Sequence, residues 1–183
     1  MKNLIFVLSA PSGTGKTTIL KILKDELKDV DIVVTYTTRK PRPGEKDGID
    51  YNFIEIDEFK KKIEKGELIE WSIVYGNYYG IPKDKIEENL KKEKKTLLII
   101  DTQGGLKIKK IYPNAFLIGI LPPSLKEQER RLRERKDMPE EEIKKRLSFS
   151  KQERDVIRKH YDIKLINRDL RKTIEKIKKI ILS

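Results

Sequence analysis

Several residue types that define whole classes of protein are absent or scarce in this chain. Its 183 residues include no cysteine and a single histidine, His160. The sequence therefore excludes disulfide bonds and thiolate metal sites, which agrees with a reducing compartment. We expect His160 at the end of a helix, where no nucleophile is paired with it.

Long hydrophobic runs are also absent. No stretch approaches the roughly 20 apolar residues of a membrane span. The first ten residues, "MKNLIFVLSA", contain an apolar run from Leu4 to Leu8. This run is shorter than the roughly 7–15 residues of a signal-peptide core, so a buried parallel strand is the better interpretation. We predict a cytoplasmic protein with no membrane partner.

Charge is abundant and mostly basic. The chain is 39% charged and 37% hydrophobic, with a formal net charge of +12. Such a balance suits nucleic acid, an anionic membrane or small polyanionic substrates. Much of the excess lies in lysine-rich helical stretches at 60–62 and 91–95, which are typical of solvated faces. We expect no nucleic-acid partner, although binding through the basic surface remains an alternative.

The order of predicted elements indicates an α/β fold. Strands and helices alternate, which favours a phosphate-loop-type parallel sheet flanked by helices on both faces. The segment from about 35 to 81 interrupts this rhythm with strands and turns, including a hairpin turn near Gly76, and predicts an inserted mixed or antiparallel lobe. Asp57 is the predicted cap of a short helix, and Ser124 with Glu127 and Asp137 with Glu140 are predicted to open two further helices.

The stretch "SAPSGTGKTT", residues 9–18, has the pattern of a phosphate-binding loop between a strand and a helix. Backbone N–H groups in such a loop point at phosphate oxygens, and the helix N-terminus adds a partial positive charge. The predicted cradle is Ser12, Gly13, Thr14 and Gly15, followed by Lys16 for the β/γ phosphates, Thr17 for Mg²⁺, and Thr18. Ala10 stands where the general pattern has glycine, and alanine is tolerated wherever φ is negative. The alternative is a Gly/Ser turn before an ordinary helix.

A phosphate loop of this kind needs an acid that helps to hold the metal, commonly at the end of a neighbouring strand. Asp101 ends the apolar run "TLLIID" and is the candidate. A lone aspartate at this place can equally be a cap at the strand end.

A second informative stretch is "TYTTRKPRPGEKDGIDY", residues 35–51. Arg39 and Arg42 lie three residues apart in a segment stiffened by Pro41 and Pro43. The guanidinium fork binds phosphate in bidentate fashion, and proline reduces the entropy lost when the fork is presented. A solvated basic loop is the alternative.

With these motifs the chain resembles the guanylate kinase family, nearly from end to end. The likeness includes "APSGTGKTT", "TTRKPRPGE", "DYNF", "GNYYG", "IDTQG", "ILPPS" and "RLRERKDMPEEEIKKRL". It implies one domain, 1–183, with a core of residues 1–34, 82–125 and 147–183. It also implies a GMP-binding lobe at 35–81 and a lid at 126–146.

The resemblance implies roles for individual residues. GMP would be bound by Thr35, Arg39, Arg42, Tyr51, Glu70, Tyr79 and Asp101, with Glu70 reading the guanine. ATP would be bound by the loop from Ser12 to Thr18 together with Arg131, Arg135 and Asn167. Catalysis would depend on Lys16, Arg39, Arg42, Arg131, Arg135 and Arg146, and the metal would be held by Thr17 and Asp101.

The implied activity is Mg²⁺-dependent transfer of the γ-phosphoryl group of ATP to GMP, and to dGMP, by a monomer or small homo-oligomer. The chain departs from the family pattern at Ile81, Ile99 and Arg168. Ile81 stands where serine or threonine is common, Ile99 where an acid often precedes Asp101, and Arg168 where an acid usually follows Asn167. Two alternatives stay open: a guanylate-kinase-like binding module with impaired catalysis, and a kinase acting on a phosphorylated sugar.

Overall fold

The computed structural model describes residues 4–134 and 139–183. Its main sheet has five parallel strands in the order β2-β7-β1-β8-β9. These strands are β1 (Ile5–Ser9), β2 (Asp31–Ile32), β7 (Thr96–Ile99), β8 (Phe116–Leu121) and β9 (Ile163–Ile166).

Seven helices accompany the two sheets within the described residues. They are α1 (Lys16–Glu26), α2 (Ile56–Glu64), α3 (Lys83–Lys91), α4 (Thr102–Ile111), α5 (Leu125–Arg133), α6 (Glu140–His160) and α7 (Leu170–Leu182). None of those in 4–134 and 139–183 has the length and apolar character that crossing a membrane requires.

Strand β1 shows why the main sheet is covered on both faces. Phe6 and Leu8 pack into one apolar cluster, and Ile5 and Val7 pack into another. Successive side chains of a strand point to opposite faces, so a strand buried on both faces is apolar throughout. One cluster receives side chains of α1 and α7, and the other receives side chains of α3, α4 and α6. The predicted parallel sheet between helices is therefore confirmed.

A second sheet of four strands has the order β4-β3-β6-β5. Its strands are β3 (Tyr36–Thr37), β4 (Asn52–Phe53), β5 (Leu68–Val74) and β6 (Asn77–Pro82). Only the β3–β4 pair is parallel, so the sheet is mixed. Tyr75 and Gly76 join β5 to β6 with φ of 51° and 81°, as a tight hairpin turn requires, and the predicted turn near Gly76 is confirmed.

The predicted helix caps have different outcomes. Ser124 caps α5, since its side chain accepts a hydrogen bond from the N–H of Glu127 at 3.1 Å. The prediction for Asp57 is wrong: α2 begins at Ile56, and Asp57 lies inside its first turn. Asp137 lies outside the described residues. Helix α6 ends at His160, as predicted.

The strand order determines where a ligand can bind. β1 lies between β7 and β8, so the chain connections diverge to opposite sides of the sheet at its carboxyl edge. Ligands of open α/β sheets bind in the crevice at such a point. The predicted phosphate loop follows β1, Asp101 follows β7, and Asn167 follows β9.

Candidate nucleotide-binding site

A cavity of about 680 Å³ lies between the carboxyl edge of the main sheet and the second sheet. The predicted site residues on its wall are Ser12, Gly13, Gly15, Lys16, Thr17, Thr18, Thr35, Arg39, Arg42, Tyr51, Glu70, Tyr79, Asp101, Arg131 and Arg146. Thr14 and Asn167 are not on the wall, and Arg135 is outside the described residues. One cavity therefore brings together residues from the phosphate loop, the arginine segment and the hairpin.

The phosphate loop depends on glycine at two positions. Gly13 and Gly15 have φ of 79° and 100°, a region that side chains other than glycine rarely adopt. A Cβ on Gly13 would also lie 2.8 Å from Cγ of Leu132, because α5 packs directly on the loop. Ala10 is buried in the core, and its φ is not positive. Alanine is therefore compatible with this position.

Lys16 and Thr17 are the first two residues of α1, and both line the cavity. The first turn of α1 has no acidic residue, so nothing there offsets the partial positive charge of the helix N-terminus. This arrangement suits an anion such as a phosphate.

Asp101 caps helix α4. Its Oδ1 accepts hydrogen bonds from the N–H groups of Gln103 and Gly104 at 2.9 and 3.0 Å, and its Oδ2 accepts one from Ser72 at 2.8 Å. The alternative of a strand-end cap is thus realised, while the carboxylate still faces the cavity. Within the described parts of the chain, no three carboxylate or imidazole groups are placed to hold a metal ion. A metal would need ligand oxygens in addition to those of Thr17 and Asp101.

Arg39 is held in place by Glu45. Its two terminal nitrogens each donate to a carboxylate oxygen of Glu45 at 2.9 Å, and Glu45 also accepts the Arg42 N–H at 2.7 Å. The guanidinium lies over the Tyr51 ring, 5.3 Å from its centroid, and Tyr79 packs edge-on against Tyr51 at 6.0 Å. Burial lowers the pKa of the Arg39 guanidinium, but Glu45 and Tyr79 raise it by more. The pKa of Arg39 therefore lies above its ordinary value. The segment presents a fixed cation beside two phenol groups.

Glu70 lies on β5, and its side chain is almost completely buried. Nζ of Lys107, on α4, donates to its Oε1 at 2.8 Å. Burial raises the pKa of the Glu70 carboxyl, and the charge of Asp101 raises it further. Lys107 lowers this pKa, but the net shift is upward. Glu70 is therefore a nearly buried acceptor group on the cavity wall.

Two of the departures from the family pattern make this wall more apolar. Ile81 is 1% exposed and pairs in register with Glu70 across the β5–β6 hairpin. Ile99, at the end of β7, also lines the cavity. Ile81 belongs to the core, so the cavity wall at this place is set by core packing.

The predicted lid arginines contact the phosphate loop. Arg131 pairs with Glu127 at 2.7 Å, and its guanidinium lies 3.5 Å from the Thr14 carbonyl oxygen. Arg146 donates to the Ser12 hydroxyl at 3.3 Å, and lies 5.0 Å from the centroid of the Tyr75 ring. Both cations are thereby placed on the side of the cavity that the loop forms.

Asn167 lies behind the phosphate loop. Its side-chain N–H donates to the Thr14 carbonyl at 2.8 Å, and its Oδ1 is buried without a hydrogen-bond partner among the described residues. A Cβ on Gly15 would be 3.0 Å from Nδ2 of Asn167. Asn167 therefore supports the loop, and its place near adenine stays a prediction.

Sequence reasoning missed Glu45, Lys107, Tyr75 and Glu153. Glu45 could have been found, because it lies three residues after Arg42 in the same motif. No feature of the sequence distinguishes Glu153 from the other charged residues of its long helix. It lines the cavity, and burial raises its pKa to about 7, against the opposing charge of Lys16 and with a further rise from Asp101.

These features define a nucleotide-binding α/β protein, in which a phosphate loop and an arginine-rich acceptor segment share one cavity. The family model described as guanylate kinase matches residues 2–183. The guanylate kinase of Myxococcus xanthus is 39% identical, with 98% of this chain and 86% of that protein covered. The guanylate kinase of Caldanaerobacter subterraneus is 42% identical, covering 100% and 88% respectively.

Comparison with solved structures indicates the same family. A crystal structure of guanylate kinase from Anaplasma phagocytophilum superposes with a TM-score of 0.79 at 34% identity, covering 98% of this chain and 85% of that one. The chain therefore belongs to the guanylate kinase family, as its sequence motifs indicate, and is a nucleotide-binding kinase.

Proposed function

We propose that this enzyme transfers the γ-phosphoryl group of ATP to GMP or dGMP, giving ADP and the guanine nucleoside diphosphate. The observation that carries the proposal is the shared cavity. Lys16 and the phosphate loop lie on one side of it, and Arg39, Arg42 and Glu70 lie on the other. A donor triphosphate and an acceptor monophosphate can therefore face each other.

Base selection follows from the chemistry of Glu70. Guanine presents an N1–H and a 2-amino group on one edge, and an ionised carboxylate accepts from both. Adenine lacks both donors at that edge. Glu70 is nearly buried, and Lys107 bonds only to its Oε1. A base without those donors would therefore leave hydrogen-bonding capacity of the carboxylate unsatisfied, which costs about 1–3 kcal/mol or more for a charged group.

No side chain needs to remove a proton from the acceptor. The second pKa of a phosphate monoester is about 6, so the GMP phosphate is largely ionised at neutral pH. Consistent with this, His160 is exposed at the end of α6 and is not on the cavity wall. Catalysis then rests on aligning two polyanions and neutralising their charge.

The cationic side chains of the cavity form two groups, one for each substrate. Lys16, Arg131 and Arg146 serve the donor phosphates, and Arg39 and Arg42 serve the acceptor. We assign the same donor role to Arg135 by resemblance. Closure of the GMP-binding lobe (35–81) and the lid (126–146) would exclude water and suppress ATP hydrolysis.

Magnesium fits the donor side. Mg²⁺ prefers oxygen ligands and is usually bound by one or two protein groups together with substrate phosphates. Thr17 would supply a hydroxyl and Asp101 a carboxylate, and the remaining ligands would come from ATP and water. The ion would neutralise charge on the transferring phosphoryl group.

The alternative of a binding module with impaired catalysis has less support, because Lys16 and Thr17 both face the cavity. A cytoplasmic location and a monomeric or small homo-oligomeric state remain predictions.

A substrate panel tests the proposal. The full chain is assayed for ADP release with ATP, Mg²⁺ and each of GMP, dGMP, AMP, CMP and UMP, with an acceptor-free reaction as control. We expect turnover with GMP and dGMP well above that with the other three, and its loss on chelation of Mg²⁺. ADP release with GMP no greater than in the acceptor-free control would contradict the proposal.

A further inference from the structure

Ser12, in the phosphate loop, is hydrogen-bonded through its carbonyl and its hydroxyl by residues of α5 and α6. Burial raises the pKa of the Glu153 carboxyl on α6, and the nearby Ser12 N–H lowers it. The Ser12 carbonyl accepts a hydrogen bond from Nε2 of Gln128 at 2.6 Å, and the Ser12 hydroxyl accepts one from Arg146 at 3.3 Å. Two helices remote in sequence thus determine how this part of the loop is oriented.

Gln128 is itself held in one orientation. Its side chain is fully buried, and Oε1 accepts a hydrogen bond from Arg154 at 2.7 Å. Nε2 also donates to Ser150, whose hydroxyl accepts a second bond from Arg154 at 2.7 Å. Reversing the amide would place its N–H₂ group against a guanidinium, so the network directs Nε2 toward Ser12.

Glu153 lies beside the same peptide segment. It lies on the cavity wall, and its Oε2 is buried with no hydrogen-bond partner in the described parts of the chain. A buried carboxylate with an unsatisfied oxygen is costly to keep. The Ser12 N–H lies near this carboxyl and lowers its pKa, against the rise that burial causes.

The loop needs such external support because glycine makes it flexible. Gly13 directly follows Ser12, and both Gly13 and Gly15 have positive φ. Glycine loses more conformational freedom on ordering than any other residue. A loop that is already ordered before the ligand arrives binds that ligand more tightly, because binding then does not include the entropy cost of ordering the loop.

We infer that Gln128 and Glu153 are positioning residues for the donor nucleotide, holding the phosphate loop at Ser12 in the form that receives ATP. The inference rests on the proposed function only in taking ATP as the donor. Neither residue needs to touch the reacting atoms.

Gln128 is tested by comparing Q128M and Q128E with S150A, in the full chain. Methionine keeps the length of the side chain, and glutamate keeps the acceptor for Arg154, but neither donates to the Ser12 carbonyl. S150A disturbs the same network and leaves the Ser12 bond in place. By calorimetry we expect ATP to bind about tenfold more weakly to both Gln128 variants, and within about twofold of wild type to S150A.

Steady-state KM values for the two substrates distinguish a positioning role from general damage to the enzyme. In Q128M, KM for ATP should rise about tenfold, while KM for GMP stays within about twofold. Equal ATP affinity in Q128M and S150A, or equal losses for ATP and GMP, would overturn the role of Gln128. If wild type fails to phosphorylate GMP, the proposed function fails, and calorimetric ATP affinity still decides this inference.

Glu153 is tested with E153M against E153Q. Both variants remove the charge, so its repulsion of ATP changes equally in the two. Only glutamine retains an oxygen that can accept the Ser12 N–H. We expect E153M to bind ATP about tenfold more weakly than E153Q, and equal affinities would remove Glu153 from the inference.

Discussion

Nζ of Lys107 lies 2.8 Å from Oε1 of Glu70, and the same ammonium group donates to the Trp71 carbonyl at 2.8 Å. The lysine approaches from α4, on the outer side of β5, while Glu70 also lines the nucleotide cavity. The carboxylate proposed to read guanine is therefore held from behind by a cation.

Removing that cation should weaken GMP binding. In K107M the carboxylate loses its hydrogen bond, and its pKa rises further because burial and Asp101 are no longer opposed. Glu70 must be ionised to accept two N–H groups, so GMP binding should strengthen as pH rises through that pKa. We expect KM for GMP to rise about tenfold and its pH profile to move to higher pH.

K110M is the matched control, since it removes an equal charge from the next turn of α4. Its KM for GMP should stay within about twofold of wild type, and KM for ATP should be unchanged in both variants. An unaltered pH profile in K107M would show that Lys107 does not govern the ionisation of Glu70.

E70Q should separate the two substrates. The amide accepts one hydrogen bond but turns an N–H₂ group toward a guanine donor, which leaves two donors facing each other. We expect kcat/KM for GMP to fall about a hundredfold, with KM for ATP nearly unchanged. Equal losses for both substrates would argue against base reading by Glu70.

K16A tests the donor side. Lys16 begins α1 on the cavity wall, where it would neutralise charge on the β/γ phosphates. We expect kcat to fall by at least about a hundredfold. K21M, which removes another α1 lysine lining the cavity, should cost far less. Near wild-type turnover in K16A would remove the phosphate loop from the mechanism.

Glu153 should make stability depend on pH. Its pKa is about 7 in the folded protein against 4.5 for the free group. Between these values the folded chain keeps a proton that the unfolded chain has lost, so stability falls as pH rises from about 4.5 to about 7. The loss is nearly complete by about pH 8, with an upper bound of roughly 3–4 kcal/mol.

E153Q mimics the protonated carboxyl at every pH. Melting curves without nucleotide should therefore agree with wild type near pH 4.5 and show a higher Tm for E153Q at pH 8. E141Q, which changes the net charge equally at the start of α6, should show no such pH-dependent gap. The same Tm difference at both pH values would mean that Glu153 does not titrate in this range.

Features that depend on short stretches of chain follow from the sequence alone. "SAPSGTGKTT" predicted strand, loop and helix because glycine conformation, backbone N–H groups and the lysine are all encoded within ten residues. The alternation of apolar strands and amphipathic helices predicted the covered parallel sheet for the same local reason. Resemblance added Glu70 and the GMP-binding role of Arg39 and Arg42, and the fold brings all three residues to one cavity.

The groups that hold these residues in place are apparent only in the folded chain, because they come from distant parts of the sequence. Lys107 reaches Glu70 from 37 positions away, and Gln128 reaches Ser12 from 116. From the sequence alone, lysine, glutamine and glutamate residues on a highly charged helix are expected to lie on the solvated surface. In the folded chain Gln128 is buried, Glu153 lies on the cavity wall, and the half-exposed Lys107 bonds to the buried Glu70. Burial makes these polar contacts matter, because a buried polar group without a partner is costly.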